Sequence, residues 1–207
     1  MAAVRRSLLI AALALLAPLA AAPAAARVEP IAPVTAADRT IGRPDAPVTV
    51  IEYASFSCPT CANWHQFVWP VFKQRLVDTG QVRFVFRNLP TQPEQMSLPA
   101  AALARCAAPG RFFEVTSILM AGQAAVLRGG DREDWYAPAI AASGRTQAQI
   151  EACATTPATR AAINRDVETA HAAGAHHTPS FFVNGRPVSD RSLGGLEVAV
   201  RAALAER

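Results

Sequence analysis

Two cysteines separated by two residues, Cys58-Pro59-Thr60-Cys61, stand where an apolar run gives way to a helical pattern. Ahead of the pair lies Val48-Thr49-Val50-Ile51-Glu52-Tyr53-Ala54, a short stretch rich in β-branched and aromatic residues that reads as a buried strand. Behind it, apolar residues recur at 61, 64, 68, 71, 72 and 76, near the helical period of about 3.6. The first thiol therefore sits at a helix N-terminus, where unpaired N–H groups and the positive end of the macrodipole favour thiolate over thiol. The second lies about one turn on, close enough to close a disulfide back onto the first. A dithiol so placed is built for thiol–disulfide exchange. Half of a zinc site is the competing reading, but a closed tetrahedral site needs more ligands and the chain has no second Cys-x-x-Cys.

The compartment follows from the first residues. Arg5 and Arg6 precede an apolar run from Leu8 to Ala22, and Ala24-Ala25-Ala26 precedes Arg27. That is the pattern of a signal peptide, residues 1–26, with an Ala-x-Ala cleavage site. The run is shorter than the roughly 20 residues of a spanning helix, and Pro18 and Pro23 interrupt it. Cleavage would leave residues 27–207 and lower the formal net charge of +4 by two. So small a balance points to no nucleic-acid or lipid partner. No later apolar run could span a bilayer, so the expectation is an exported soluble protein in a compartment that permits disulfides. Four cysteines allow three pairings. The short spacing of Cys58 and Cys61 makes them the redox couple, which leaves Cys106 and Cys153 to pair, or to remain as two free buried thiols.

Residues 27–46 are rich in Pro, Ala and Thr and read as an extended lead-in. Pro59 is tolerated in the first helical turn, whereas Pro70 should kink the helix, and Gly80 ends it. Val82–Phe86 is the next strand, closed by Asn88-Leu89-Pro90. From 91 to about 156 the pattern is Ala-rich and helical. Helices are expected over 97–108, stopped by Pro109-Gly110, and over 111–121. A third is capped by Asp131, and a short one is opened by the capping box Thr146-Gln147-Ala148-Gln149. Thr156-Pro157 starts a longer helix that ends at Gly174. Ser180–Val183 is a strand, Asn184-Gly185 a hairpin turn leading into Pro187-Val188, and Leu196, Val200, Ala203 and Leu204 mark a last helix. The order implies an α/β sheet interrupted by a helical insertion.

Glu52-Tyr53-Ala54-Ser55-Phe56-Ser57-Cys58-Pro59-Thr60-Cys61, followed far downstream by Thr178-Pro179-Ser180-Phe181-Phe182-Val183-Asn184-Gly185, resembles the DsbA-like thioredoxin-fold oxidoreductases of bacterial envelopes. The resemblance covers essentially all of the chain after the signal peptide. It implies a thioredoxin-like domain made of 47–90 and 157–207, with an all-helical insertion at 91–156. It implies a periplasmic enzyme that needs no cofactor, with exported cysteine-containing proteins as substrates and a membrane redox partner that resets the active site. Cys58 would be the exposed nucleophile, Cys61 the buried resolving thiol, and Pro179 a cis-proline that turns Thr178 toward the sulfurs. Glu52 would be a buried acid beneath the disulfide, relaying protons to Cys61. A second disulfide, here Cys106 to Cys153, occurs in parts of the family.

Thr60 decides how oxidising the couple should be. The strongest oxidants of the family carry His there, and a cationic imidazole stabilises the thiolate. Thr60 offers a hydroxyl and no charge, so Cys58 should be less acidic and the couple milder. His65, His176 and His177 are expected at solvated positions, the alternative being a cation that favours the Cys58 thiolate. Donation of disulfides to exported proteins is the expected activity. Reduction or isomerisation is the alternative within that chemistry, and copper or zinc binding by Cys58, Cys61 and His177 is the alternative outside it.

Overall fold

The computed structural model describes residues 30–206. The expected signal peptide lies outside the described residues. Arg39–Ile41 (β1), Val48–Ala54 (β2), Val82–Asn88 (β3), Ser180–Val183 (β4) and Arg186–Val188 (β5) form a five-stranded sheet in the order β1-β3-β2-β4-β5. The central pair β2 and β3 is parallel, with Val50 opposite Phe84 and Glu52 opposite Phe86. The other pairs are antiparallel. The β4–β5 hairpin turns at Asn184 and Gly185, both at positive φ, as the Asn-Gly pair requires.

Two-residue alternation along β2 divides the core. Val48 and Val50 face Trp64, Trp69, Phe72 and the apolar side of the C-terminal helix, Leu193–Ala205, where Leu196 and Val200 are fully buried. Ile51 and Tyr53 face the other way, onto Phe182 and Ala170 of the helix Pro157–Ala172. Numbered in chain order, the helices are Pro59–Phe67 (α1), Trp69–Phe72 (α2), Glu94–Arg105 (α3), Phe112–Leu127 (α4), Arg132–Ala142 (α5), Gln147–Ala154 (α6), Pro157–Ala172 (α7) and Leu193–Ala205 (α8). Helices α3 to α6 stand between β3 and α7 and share a core of their own, with Phe112, Leu119, Trp135 and Ile150 buried together. That core continues into Phe56, Cys58 and Cys61, so the inserted helices pack directly under the Cys-x-x-Cys segment. This is the α/β arrangement with a helical insertion that the sequence implies.

Several boundaries differ from those read in the sequence. The helical run after Cys58 breaks at Val68, two residues ahead of Pro70, and continues from α2 into a π-helical turn at Lys73–Val77. Helix α3 begins at Glu94, ahead of the expected 97, and carries Pro99 inside it. Pro99 leaves the Gln95 carbonyl without its helical donor, and Arg132 Nη1 donates to it from α5 at 3.2 Å. Helix α4 runs past 121 to Leu127 because Gly122 is a packing residue, not a stop. A Cβ there would lie 2.6 Å from Trp135 Cδ1. The indole is itself pinned by Nε1 donating to the Leu119 carbonyl at 2.7 Å.

The lead-in contains strand β1, which its composition does not advertise. It is tied down by buried arginines. Arg87 Nε donates to Asp38 Oδ1 at 2.7 Å, and its Nη2 donates to the carbonyls of Ala32 and Pro33 at 3.0 Å. Arg105 Nη1 donates to Asp166 Oδ2 at 2.9 Å, and the same oxygen accepts from the backbone and side-chain N–H of Asn88. One buried carboxylate thus joins β3, α3 and α7. Cys106, at the end of α3, is disulfide-bonded to Cys153 of α6 across 47 residues of sequence.

Gly122→Ala is expected to lower unfolding free energy by about 1–3 kcal/mol in urea titration, since the buried Trp135 ring must shift to admit the methyl group. Replacing both Cys106 and Cys153 by Ala is expected to cost about 2–5 kcal/mol, and less than about 1 kcal/mol would show that the bond does not constrain the chain.

Candidate active site

The antiparallel register of β2 and β4 sets Tyr53 opposite Ser180. The loop leaving β2 and the loop entering β4 therefore lie at the same end of the sheet. The first carries Cys58 and the second carries Thr178 and Pro179. This register is what brings residues 120 positions apart within contact: Cys58 Sγ is 3.3 Å from the Thr178 carbonyl oxygen. The Thr178–Pro179 peptide bond is cis.

Cys58 is the N-cap of α1 in extended backbone conformation, and its sulfur accepts from the Cys61 N–H at 3.4 Å. Pro59 occupies the first helical turn, where it has no N–H to leave unsatisfied. Thr60 Oγ1 lies 3.0 Å from Cys58 Sγ and 3.4 Å from the Thr178 carbonyl. Cys58 keeps 8% of its surface accessible and Cys61 keeps none, so only Cys58 can meet a partner sulfur. Hydrogen bonding from the Cys61 thiol, joined by Thr178, Thr60 and the Cys61 N–H, overcomes burial and brings the Cys58 thiol from its usual 9.0 down to about 5. Burial, then the hydrogen bond and charge of Cys58, then the charge of Glu52, push the Cys61 thiol well up. The two thiols are driven apart: one ionised and reachable, the other protonated and sealed.

Behind the dithiol, Glu52 is fully buried on the α1 side of β2. Its Oε2 is 2.9 Å from Nε2 of His65, whose side chain is also buried. The expected solvated position for His65 is therefore incorrect: it lies on the inner face of α1, one turn beyond Cys61, with Trp64, Trp69 and Phe86 around its ring. His176 and His177 are exposed, on the loop before Thr178. Among the described residues no group of three His, Cys, Asp or Glu side chains is placed to hold a metal ion, so Cys58, Cys61 and His177 do not converge as a ligand set.

Two supports of the loop escaped the sequence reading. Gln123, on the buried stripe of α4 one turn after Leu119, donates to the carbonyls of Phe56 at 2.7 Å and Cys58 at 3.0 Å. A glutamine in line with Val115 and Leu119 is the signal that could have found it. Ser55, Ser57 and Thr91 form a second support, with Thr91 N–H donating to Ser55 Oγ at 3.0 Å and Ser57 Oγ donating to the Thr91 carbonyl at 2.9 Å.

The sequence profile of a family described as Thioredoxin matches residues 35–201. A protein of Rickettsia felis with the provisional name protein-disulfide oxidoreductase is 28% identical over 172 residues, which cover 82% of this chain and 61% of that one. A protein of Salinispora tropica named Na(+)/H(+) antiporter NhaA 3 is 35% identical over 156 residues, covering 72% of this chain and 22% of that one. The chain thus spans less than two thirds of the length of either relative. Among solved structures, α-DsbA1 of Wolbachia pipientis superposes with a TM-score of 0.72 at 23% identity, covering 84% of this chain and 94% of that one. The fold is therefore the DsbA-like thioredoxin fold with its helical insertion.

Following thiolate absorbance in the ultraviolet against pH should give a Cys58 midpoint of about 5. Thr60→Val should raise that midpoint and Thr60→His should lower it, because the first removes a donor and the second adds a cation.

Proposed function

The chain belongs to the thioredoxin family, and from that premise we propose that it is a thiol:disulfide oxidoreductase that donates disulfides to exported cysteine-containing proteins in the periplasm. The observation that carries the reading is the Cys58 sulfur, capping α1 beside Thr178 with its ionised form favoured down to about pH 5. A stabilised thiolate stabilises the reduced protein and makes the disulfide a better oxidant. It also makes Cys58 a good leaving group when a mixed disulfide is broken.

In this reading the Cys58–Cys61 disulfide is the oxidant. A substrate thiolate attacks Cys58 Sγ, the S–S bond breaks, and Cys61 departs and is protonated. A second substrate thiolate then attacks the substrate sulfur of the mixed disulfide and releases the Cys58 thiolate. Two electrons pass from the substrate dithiol to the protein disulfide. The Thr178 backbone beside the sulfurs offers an extended substrate segment a place to pair. Pro59 and Thr60 shape the first turn of α1, and Glu52 serves the proton of Cys61. Residues 47–90 and 157–207 carry the redox site, the helical block 91–156 supports it from below, and Cys106–Cys153 staples that block. A membrane redox partner would reoxidise Cys58 and Cys61 after each cycle.

Reactive thiols in Cys-x-x-Cys motifs range from a pKa of about 3.5 in DsbA to about 7 in thioredoxin, and a midpoint of about 5 falls between them. Equilibration with glutathione is accordingly expected to give a potential between about −120 mV and about −270 mV, and a value at either end would contradict this reading. Acid trapping of thiols in the cell distinguishes the direction: a mostly oxidised pair supports disulfide donation, and a mostly reduced pair supports reduction or isomerisation instead.

A further inference from the structure

Glu52 and His65 form a buried pair with two idle atoms. Glu52 Oε2 and His65 Nε2 share a hydrogen bond of 2.9 Å, while Glu52 Oε1 and His65 Nδ1 are buried without partners. A buried carboxylate oxygen with no donor is costly, and it is the atom best placed to take up a proton. Cys61 is the group that must exchange one. It lies one turn before His65 on the same face of α1, and the charge of Glu52 reaches its sulfur.

We infer that His65 is a positioning residue for the resolving step: by holding Oε2 through Nε2, it leaves Oε1 of Glu52 as the acceptor and donor of the Cys61 proton. The inference rests on the oxidoreductase reading above. Starting from a mixed disulfide, the Cys61 thiol passes its proton to Oε1. The resulting thiolate attacks Cys58 Sγ, the Cys58–Cys61 bond forms, and the substrate leaves as a thiolate. In the opposite direction Cys61 departs as a thiolate and the same proton returns to it.

The surroundings leave the work to this pair. Strands β3 and β4 place Phe86 and Phe181 opposite Glu52, and the rings around His65 are Trp64, Trp69 and Phe86. From α4, Phe112 packs on Phe86, with the Arg39 guanidinium beyond it, 5.8 Å from the Phe112 centroid. Gln123 of α4 is spent on the carbonyls of Phe56 and Cys58. Among the described residues named around the pair, Cys61 is the titratable neighbour, and Arg39 is a charge two rings away.

A chromogenic aryl disulfide reads the two steps separately. Attack by Cys58 releases one coloured thiolate, and resolution by Cys61 releases a second. Across a pH series, His65→Leu is expected to leave the first release unchanged and to slow the second by about tenfold or more, with an altered pH profile. His65→Gln keeps a donor for Oε2 and should restore most of the rate. Adding His65→Leu to Glu52→Gln should slow resolution no further than Glu52→Gln alone, because both changes act through one proton acceptor. Thermal unfolding and the first release together report whether a variant is intact. A His65→Leu protein with the native second phase and pH profile, or effects of the two substitutions that simply add, would overturn the inference. If the unsubstituted protein releases no second thiolate at all, the oxidoreductase reading itself has failed.

Discussion

The structure depends on holding the N-terminus of α1 against the turn that enters β4. Neither segment can make the site by itself. The β2 strand supplies one, the β4 strand supplies the other, and their antiparallel register fixes the distance between them. Cys58 then gains Thr178 as a neighbour in addition to the donors of its own first turn. A shift of one residue in that register would turn Glu52 to the opposite face of the sheet and break the site twice over.

The interior around the dithiol is more polar than a core of this kind requires for stability. Glu52, His65, Ser55, Ser57 and Gln123 are all buried there. Buried polar groups cost free energy unless they are paired. Gln123 and the serines are paired with backbone and fix the loop geometry, while Glu52 and His65 each keep one unpaired atom. The Arg105–Asp166–Asn88 cluster works differently. Its carboxylate oxygen accepts three donors, joining α3, α7 and β3 at a distance from the chemistry, and burial raises the Asp166 carboxyl despite the nearby guanidinium. The buried carboxylate of Glu52 keeps an oxygen without a donor beside the thiols, whereas the shared oxygen of Asp166 is fully engaged by its neighbours.

Much of this was legible in the residues. The run Val48 to Ala54, the cysteine pair and the distant Thr178-Pro179 carried the fold, because each feature belongs to the backbone arrangement that creates the site. Thr60 stood out by its place between the cysteines and its lack of charge, and its hydroxyl lies 3.0 Å from the Cys58 sulfur. What could not be read depended on long-range packing. Gly122 looks like a stop until Trp135 is known to lie against it. Strand β1 has little strand character of its own and forms because β3 offers an edge and Arg87 anchors Asp38. His65 falls at a position whose burial depends on rings from α2 and β3 as well as on the adjacent Trp64.

The groups that favour the Cys58 thiolate are the Cys61 thiol, Thr178, Thr60 and the Cys61 N–H, none of them a cation. Hydrogen bonds to a largely buried thiolate are screened less by dissolved ions than exposed charge pairs are. Dissolved salt therefore has little hold on this sulfur. A thiolate held chiefly by hydrogen bonds should change its reactivity little between dilute and saline media.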